Sequence, residues 1–197
     1  MSLTKFSSGL VKPVSENAKP LGKEDANITI IEFADYRCPF CQKLEIETFD
    51  KVVNNFINPG KAKYIFKDFV VNDRDEYKGS MQAAVASHCA ADQGKYWEYS
   101  KEIYKNFKPE PQHWVTLDSI TTFANNVQIP DVETFKSCVE FNKYQNQIEE
   151  NRMLAKHLGI TGTRSFIILK NDKIENILPG ALSYEVFEKT LKDIESK

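Results

Sequence analysis

Cys38 and Cys41 bracket the run Cys38-Pro39-Phe40-Cys41, and two intervening residues keep their sulfurs within bonding reach of each other. A pair spaced in this way serves one of two chemistries. It trades a disulfide with an outside thiol, or it supplies half of a tetrahedral zinc site. Zinc would need further ligands, and the sequence holds no second CxxC to provide them. The redox reading has a physical basis in position. A β-branched run precedes the pair, and Pro39 suits the first turn of a helix, so Cys38 is expected at a helix N-terminus. There, unpaired backbone N–H groups and the positive end of the helix dipole favour thiolate over thiol. Cys38 is then the nucleophile, expected to lie uncovered, and Cys41, one turn on and more buried, is the resolving thiol. A fall of about 3 units in the Cys38 pKa would stabilise the reduced form by about 4 kcal/mol and make the disulfide form correspondingly more oxidising.

The elements that must hold this pair can be read on either side of it. Ile28, Ile30, Ile31 and Phe33 form a short run that suits a buried strand. After the pair, Phe49, Val52, Val53 and Phe56 recur at helical spacing until Pro59-Gly60 stops them, and residues 62–71 return to strand character. From about Asn72 the pattern is helical, with Gly94 breaking the block and Asp118 and Asp131 as candidate N-caps. The helix after Asp131 is expected to run on towards His157. Strand character resumes over Ser165–Leu169, turns at Asn171-Asp172 into Ile174–Leu178, and gives way to a closing helix over Ser183–Glu195. The order is βαβ, a helical block, then ββα, which predicts one α/β sheet with an all-helical insertion.

Length and charge narrow the function classes. The 197 residues carry a formal net charge of −2, with acids and bases scattered, which gives no electrostatic footprint for nucleic acid or an anionic membrane surface. No apolar run approaches the roughly 18 residues of a membrane span, and residues 1–25 lack the apolar stretch of a signal peptide. The chain as it stands is expected to be soluble, with any export signal or anchor absent from it. Residues 1–19 read as an arm or tether, rich in Lys, Ser and Pro.

At this point a resemblance emerges. Pro20-Leu21-Gly22, the run from Ala26 to Phe33, Asp35-Tyr36 and Cys38-Pro39-Phe40-Cys41 look like the opening of the DsbA-like thiol-disulfide oxidoreductases. Gln93-Gly94-Lys95-Tyr96-Trp97 resembles that family's helical insertion, Gly159-Ile160-Thr161-Gly162-Thr163 its active-site loop, and Pro179-Gly180 its ending. The resemblance implies a thioredoxin fold over residues 20–71 and 158–197, with a helical insertion over 72–157. It also implies disulfide exchange with cysteine-containing exported proteins, as an oxidase in the first place with isomerase or reductase as alternatives, an extracytoplasmic workplace, a separate redox partner, and no cofactor beyond the redox-active disulfide. Zinc held by Cys38 and Cys41, with a second chain sharing the metal, is the alternative.

Within that frame Glu32, six residues before Cys38, is expected beneath the dithiol. Buried and poorly paired, its carboxyl would have a raised pKa and could shuttle the Cys41 proton through water; the plain alternative is an acid paired with Lys67. Pro39, Phe40, Thr163 and Arg164 are the candidate substrate-binding residues. Phe40 stands where many relatives carry histidine and offers Cys38 no hydrogen bond. Arg164 departs from the family, whose loop follows threonine with a cis-proline. The Thr163–Arg164 bond is therefore either held cis by its surroundings or trans in a reshaped loop. The arginine could stabilise the Cys38 thiolate, bind an acidic substrate group, or point to solvent with only the backbone shape changed, and the loss of the proline could let a metal approach the dithiol. Cys89 and Cys138 correspond to cysteines that form a structural disulfide in some similar proteins; otherwise they are two unpaired thiols of the helical core.

Overall fold

The computed structural model describes residues 11–12, 15–73, 76–180 and 182–196. Of the arm expected over residues 1–19, residues 1–10 and 13–14 lie outside this description. In chain order the elements are β1 (Ile28–Ala34), α1 (39–57), β2 (Ala62–Asp68), α2 (Gly79–Ala91), α3 (Tyr96–Lys105) and α4 (Leu117–Asn126). Then come α5 (Val132–Glu140), α6 (Gln145–His157), β3 (Ser165–Lys170), β4 (Lys173–Pro179) and α7 (Tyr184–Glu195). α1 opens as an α-helix over Pro39–Leu44 and carries two wider, π-type stretches, Glu45–Phe49 and Val53–Ile57.

The strands make one mixed sheet in the order β2-β1-β3-β4. β1 is parallel to β2 and antiparallel to β3, which pairs antiparallel with β4. Every residue of β1 is buried, because this central strand is covered on both faces, and that is why it reads as an almost unbroken apolar run. Strand alternation sorts its side chains. Ile28 and Ile30 pack with Phe49, Val52 and Phe56 of α1 and with Phe187 and Leu191 of α7. Ile31 and Phe33 pack on the opposite face with Ala155 of α6 and with Ile160. Phe33 is fully buried, and its truncation to alanine would cost about 3–5 kcal/mol.

Between β2 and β3 the chain folds into the helical layer of α2 to α6. Asp68 at the end of β2 meets His88 of α2 at 2.7 Å, both buried. Trp97 stacks on Phe49 of α1 and meets Tyr64 of β2 edge-on. Cys89 and Cys138 are disulfide-bonded and tie α2 to α5, their Cα atoms 5.9 Å apart. Among the described residues, no helix is long and apolar enough to cross a membrane.

Several boundaries depart from expectation for local reasons. α4 is capped by Thr116 and not by Asp118: the Thr116 hydroxyl accepts from the Ser119 N–H at 3.2 Å, and Ser119 Oγ accepts from the Thr116 N–H at 2.9 Å. Asp118 lies inside the first turn, where its charge suits the dipole. Asp131 does cap α5, accepting from the Thr134 N–H at 2.9 Å. That helix stops at Glu140 because Asn142 takes a left-handed φ of 48°, a conformation asparagine tolerates at a helix C-terminus. β2 ends at Asp68, short of Val71, since the Val71 and Asn72 N–H groups bond the Asp35 carboxylate. Asn171 and Asp172, with φ of 48° and 62°, supply the two left-handed residues that a tight hairpin between β3 and β4 requires.

Candidate active site

The loop from β1 to α1 is fastened before it reaches Cys38. One Asp35 carboxylate oxygen accepts from the Arg37 N–H at 2.8 Å, while the other accepts from Val71 and Asn72, each at 2.9 Å. The Asp35 carbonyl accepts from the Cys38 N–H at 3.0 Å. The buried Arg37 side chain bonds the Asn72 carbonyl and Glu110 and lies over the Tyr77 ring. These bonds tie the dithiol loop to the lead-in of the helical layer.

Cys38 is the residue immediately before α1, with extended backbone and Pro39 next to it. Its carbonyl accepts from the Cys41 and Gln42 N–H groups at 3.0 and 3.1 Å. Both cysteines of this run are free thiols and they differ sharply. The Cys38 pKa is lowered from 9.0 to about 6, chiefly by a hydrogen bond from the Cys41 thiol, with the Thr163 hydroxyl and the Cys41 and Phe40 N–H groups adding to it against the opposing cost of burial. Burial pushes the Cys41 thiol well up, and the bond it gives Cys38 and the charge on Glu32 push it further. Helix-start N–H groups therefore contribute as expected, yet a thiol and a threonine hydroxyl do much of the work.

The expectation that Cys38 lies uncovered is corrected. The residue exposes only 4 % of its surface, because the Thr163 loop comes over it, although its sulfur lies less deep than that of Cys41. Phe40 beside it is 60 % exposed.

Glu32 belongs by strand alternation to the β1 face that α1 covers, the same face as Ile28 and Ile30. Its partner there is the Tyr64 hydroxyl at 2.6 Å, and its other carboxylate oxygen is buried with no hydrogen bond. The alternative of pairing with Lys67 does not hold: Lys67 bonds Asn151 and the Lys12 carbonyl. Burial raises the Glu32 pKa to about 7, against the Tyr64 bond and the charge of Arg164. A cavity of about 250 Å³ extends from Glu32 past Tyr64 and Tyr104 to Glu45, whose own pKa burial raises to about 8. Sequence reasoning passed over both Tyr64 and Glu45. Glu45 was readable in principle, one helical turn after Cys41, whereas Tyr64 depends on the register of β1 with β2.

The Thr163–Arg164 bond is cis. Arg164 does not point to solvent: it is 3 % exposed, donates to the Phe40 carbonyl, and stands 5.9 Å from the Phe166 ring centre. The loop thus brings Thr163 to Cys38 and Arg164 to Phe40. Cys89 and Cys138 lie apart, bonded in the helical layer. Among the described residues no three His, Cys, Asp or Glu side chains group as a metal ion would require.

The chain is similar to known proteins in sequence and fold. A family model described as thioredoxin matches residues 15–193. Disulfide bond formation protein D of Bacillus subtilis is 30 % identical over 184 residues, covering 92 % of this chain and 80 % of that protein. The crystal structure of oxidised BdbD from Bacillus subtilis superposes with a TM-score of 0.79 at 25 % identity, covering 92 % of this chain and 95 % of the other. That of Wolbachia pipientis alpha-DsbA1 gives 0.81 at 25 % identity, covering 97 % and 96 %.

Proposed function

Since the chain belongs to the thioredoxin family and, within it, to the DsbA-like protein thiol-disulfide oxidoreductases, we propose that Cys38 and Cys41 are its working dithiol and that it donates their disulfide to protein substrates. The observation that carries this direction is the inequality of the two sulfurs. Cys38 is held as a thiolate at neutral pH and Cys41 as a thiol. Stabilising the Cys38 thiolate stabilises the reduced protein, so its oxidised form is the better oxidant.

A substrate thiolate attacks the Cys38 sulfur of the disulfide. The bond to Cys41 breaks, its electron pair leaves on Cys41, and the Glu32 carboxyl, whose charge acts on that sulfur, returns a proton to it through water. A second substrate thiolate attacks the substrate sulfur of the mixed disulfide and expels Cys38 as thiolate. Two electrons reach the dithiol, and of the two protons the substrate thiols give up, one ends on Cys41 and one in solvent. Reoxidation runs the other way: Cys38 attacks the disulfide of a redox partner, and Cys41, giving its proton to Glu32, closes the ring. Thr163, Arg164, Pro39 and Phe40 form the docking surface, with the Thr163 backbone pairing to an extended substrate segment. In this reading residues 20–71 and 158–197 are the thioredoxin unit, 72–157 are its insertion, and the substrates are exported proteins met outside the cytoplasm.

Equilibration with glutathione buffers tests the direction. A Cys38 pKa of about 6, against about 7 in thioredoxins, sets the expectation at a potential above the thioredoxin value of about −270 mV by about 30 mV or more. A value at the thioredoxin end would make the protein a reductase.

A further inference from the structure

Resting on the exchange activity proposed above, we propose that Arg164 makes this oxidoreductase selective for substrate segments that carry a carboxylate, from Asp or Glu, close to the reacting cysteine. The starting observation is a buried cation whose pairing is incomplete. Arg164 is 3 % exposed, and a guanidinium so placed is costly unless its charge and its donors are answered. One arm donates to the Phe40 carbonyl. Its Nε–H is buried without a hydrogen-bond partner, and among the described residues no carboxylate lies within salt-bridge distance of it. The carboxyl on which its charge acts, Glu32, accepts from the Tyr64 hydroxyl through one oxygen, has no hydrogen bond at the other, and does not come within salt-bridge distance of the guanidinium.

Arg164 lines a cleft of about 410 Å³ between α1 and the segment opening α7, with exposed Phe40 at its lip. Two further cations stand in that cleft, and both are answered. Lys43 has Glu47 at 3.8 Å. Lys51 lies 5.3 Å from the centre of the Tyr184 ring and within electrostatic reach of Glu185. The positive charge left over belongs to the residue next to Thr163, and Thr163 bonds the Cys38 sulfur.

Position then specifies the occupant. A substrate chain that brings its cysteine to Cys38 passes Thr163 and Phe40, and a neighbouring side chain of that substrate falls into the cleft. A carboxylate there meets a planar, forked donor that it can accept from twice, with charge neutralised. A glutamine of the same shape brings no charge and leaves the buried cation as it was, so the site discriminates against it.

The test uses the oxidised full chain and single-cysteine peptides in pairs, with Glu or Gln placed one, two or three residues to either side of the cysteine. Second-order rates of mixed-disulfide formation are each divided by the same peptide's rate with a small aromatic disulfide, which removes the effect of the acid on the peptide's own thiol. At one or more positions the Glu peptide is expected to react about tenfold faster than its Gln twin. In Arg164→Gln that ratio should fall to about one, and in Arg164→Lys, which keeps charge but not the fork, to an intermediate value. Equal normalised rates for all pairs with the wild-type chain would overturn the selectivity while leaving disulfide exchange standing. A preference that survives in R164Q would overturn it as well. Peptides that fail to react at all would remove the exchange reading and this one with it. Should R164Q not fold, the wild-type ratios together with R164K decide.

Discussion

Two pairs of cysteines in this molecule have the same side chains and opposite fates. Cys89 and Cys138 are 49 residues apart in sequence, come from two helices of the insertion and are bonded. Cys38 and Cys41 are neighbours on one turn and are free thiols. The difference lies in what surrounds the sulfur. Cys89 is buried in the same apolar cluster that reaches Cys38 and Cys41, so apolar burial alone does not separate the two pairs. Cys38 is ringed by donors, from the Cys41 thiol and the Thr163 hydroxyl to two backbone N–H groups, which stabilise the broken form. The Cys89–Cys138 bond ties two helices of the insertion, and in the function proposed here the Cys38–Cys41 bond is the one kept easy to break.

The strongest way to break this comparison is to exchange the roles by mutation. Cys38→Ser is expected to drop disulfide transfer to a reduced peptide to the uncatalysed rate while leaving urea unfolding of the reduced protein almost unchanged at pH 5, where the Cys38 thiolate contributes little. The double variant Cys89→Ala, Cys138→Ala should do the reverse. Releasing a loop of 49 residues is expected to cost about 4 kcal/mol on the chain-entropy account, read as a lower urea midpoint at unchanged transfer rate. If the double variant lost transfer in proportion to stability, the two pairs would not be separable and the division of labour would fall.

Much of this contrast was legible in the sequence, and the part that was not has a common cause. The strand-helix junction at Cys38, the buried acid at Glu32 and the cap at Asp131 all follow from local pattern, because alternation, proline and capping chemistry act over a few residues. The cover on Cys38 depends on the Thr163 loop, which arrives from the far end of the chain, so no local signal announces it. Tyr64 as the partner of Glu32 needs strand register, which the sequence leaves open. The burial of Arg164 against Phe40 is of the same kind: the sequence left its placement open, and tertiary packing set it against a carbonyl that no local pattern pointed to. Asp118 and Thr116 show the limit at short range, where two good capping residues compete and the backbone of Thr116 decides.

A finer cut separates the proton chemistry of the two pairs. Ring closure at Cys41 requires its proton to leave, and the Glu32 carboxyl, with its pKa near 7, is the group proposed to take it. Glu32→Gln is therefore expected to slow release of a peptide held on Cys38 by on the order of a hundredfold at pH 8, the low end of general-base effects. In the wild type that release should speed up as pH rises through about 7, where Glu32 becomes carboxylate; in the variant the rise should vanish from that range. Quenched-flow mass spectrometry of the mixed disulfide reads both. Equal rates in the two proteins would mean that the pairs differ by placement alone and that Cys41 needs no dedicated acceptor.

The smallest effect tests the central idea, that donors around the sulfur set its fate. Thr163→Val keeps the shape of the loop and removes one hydrogen bond to the Cys38 thiolate. A bond to a charged group contributes roughly 1.5–3 kcal/mol, part of which water can replace, so the Cys38 pKa is expected to climb by about one unit from its value of about 6. The pH dependence of iodoacetamide alkylation measures it directly. The sign carries over to stability. Because the folded pKa is depressed from 9.0 to about 6, the thiolate stabilises the reduced protein fully above the ordinary thiol pKa, and that contribution is lost as pH falls through about 6. In the valine variant the loss should already be complete one unit higher, and the disulfide should become a weaker oxidant by roughly 30 mV, the equivalent of 1.4 kcal/mol for two electrons. An unchanged pKa would leave the Cys41 thiol and the backbone to account for the whole shift, and the Thr163 loop would then only cover the sulfur without tuning it.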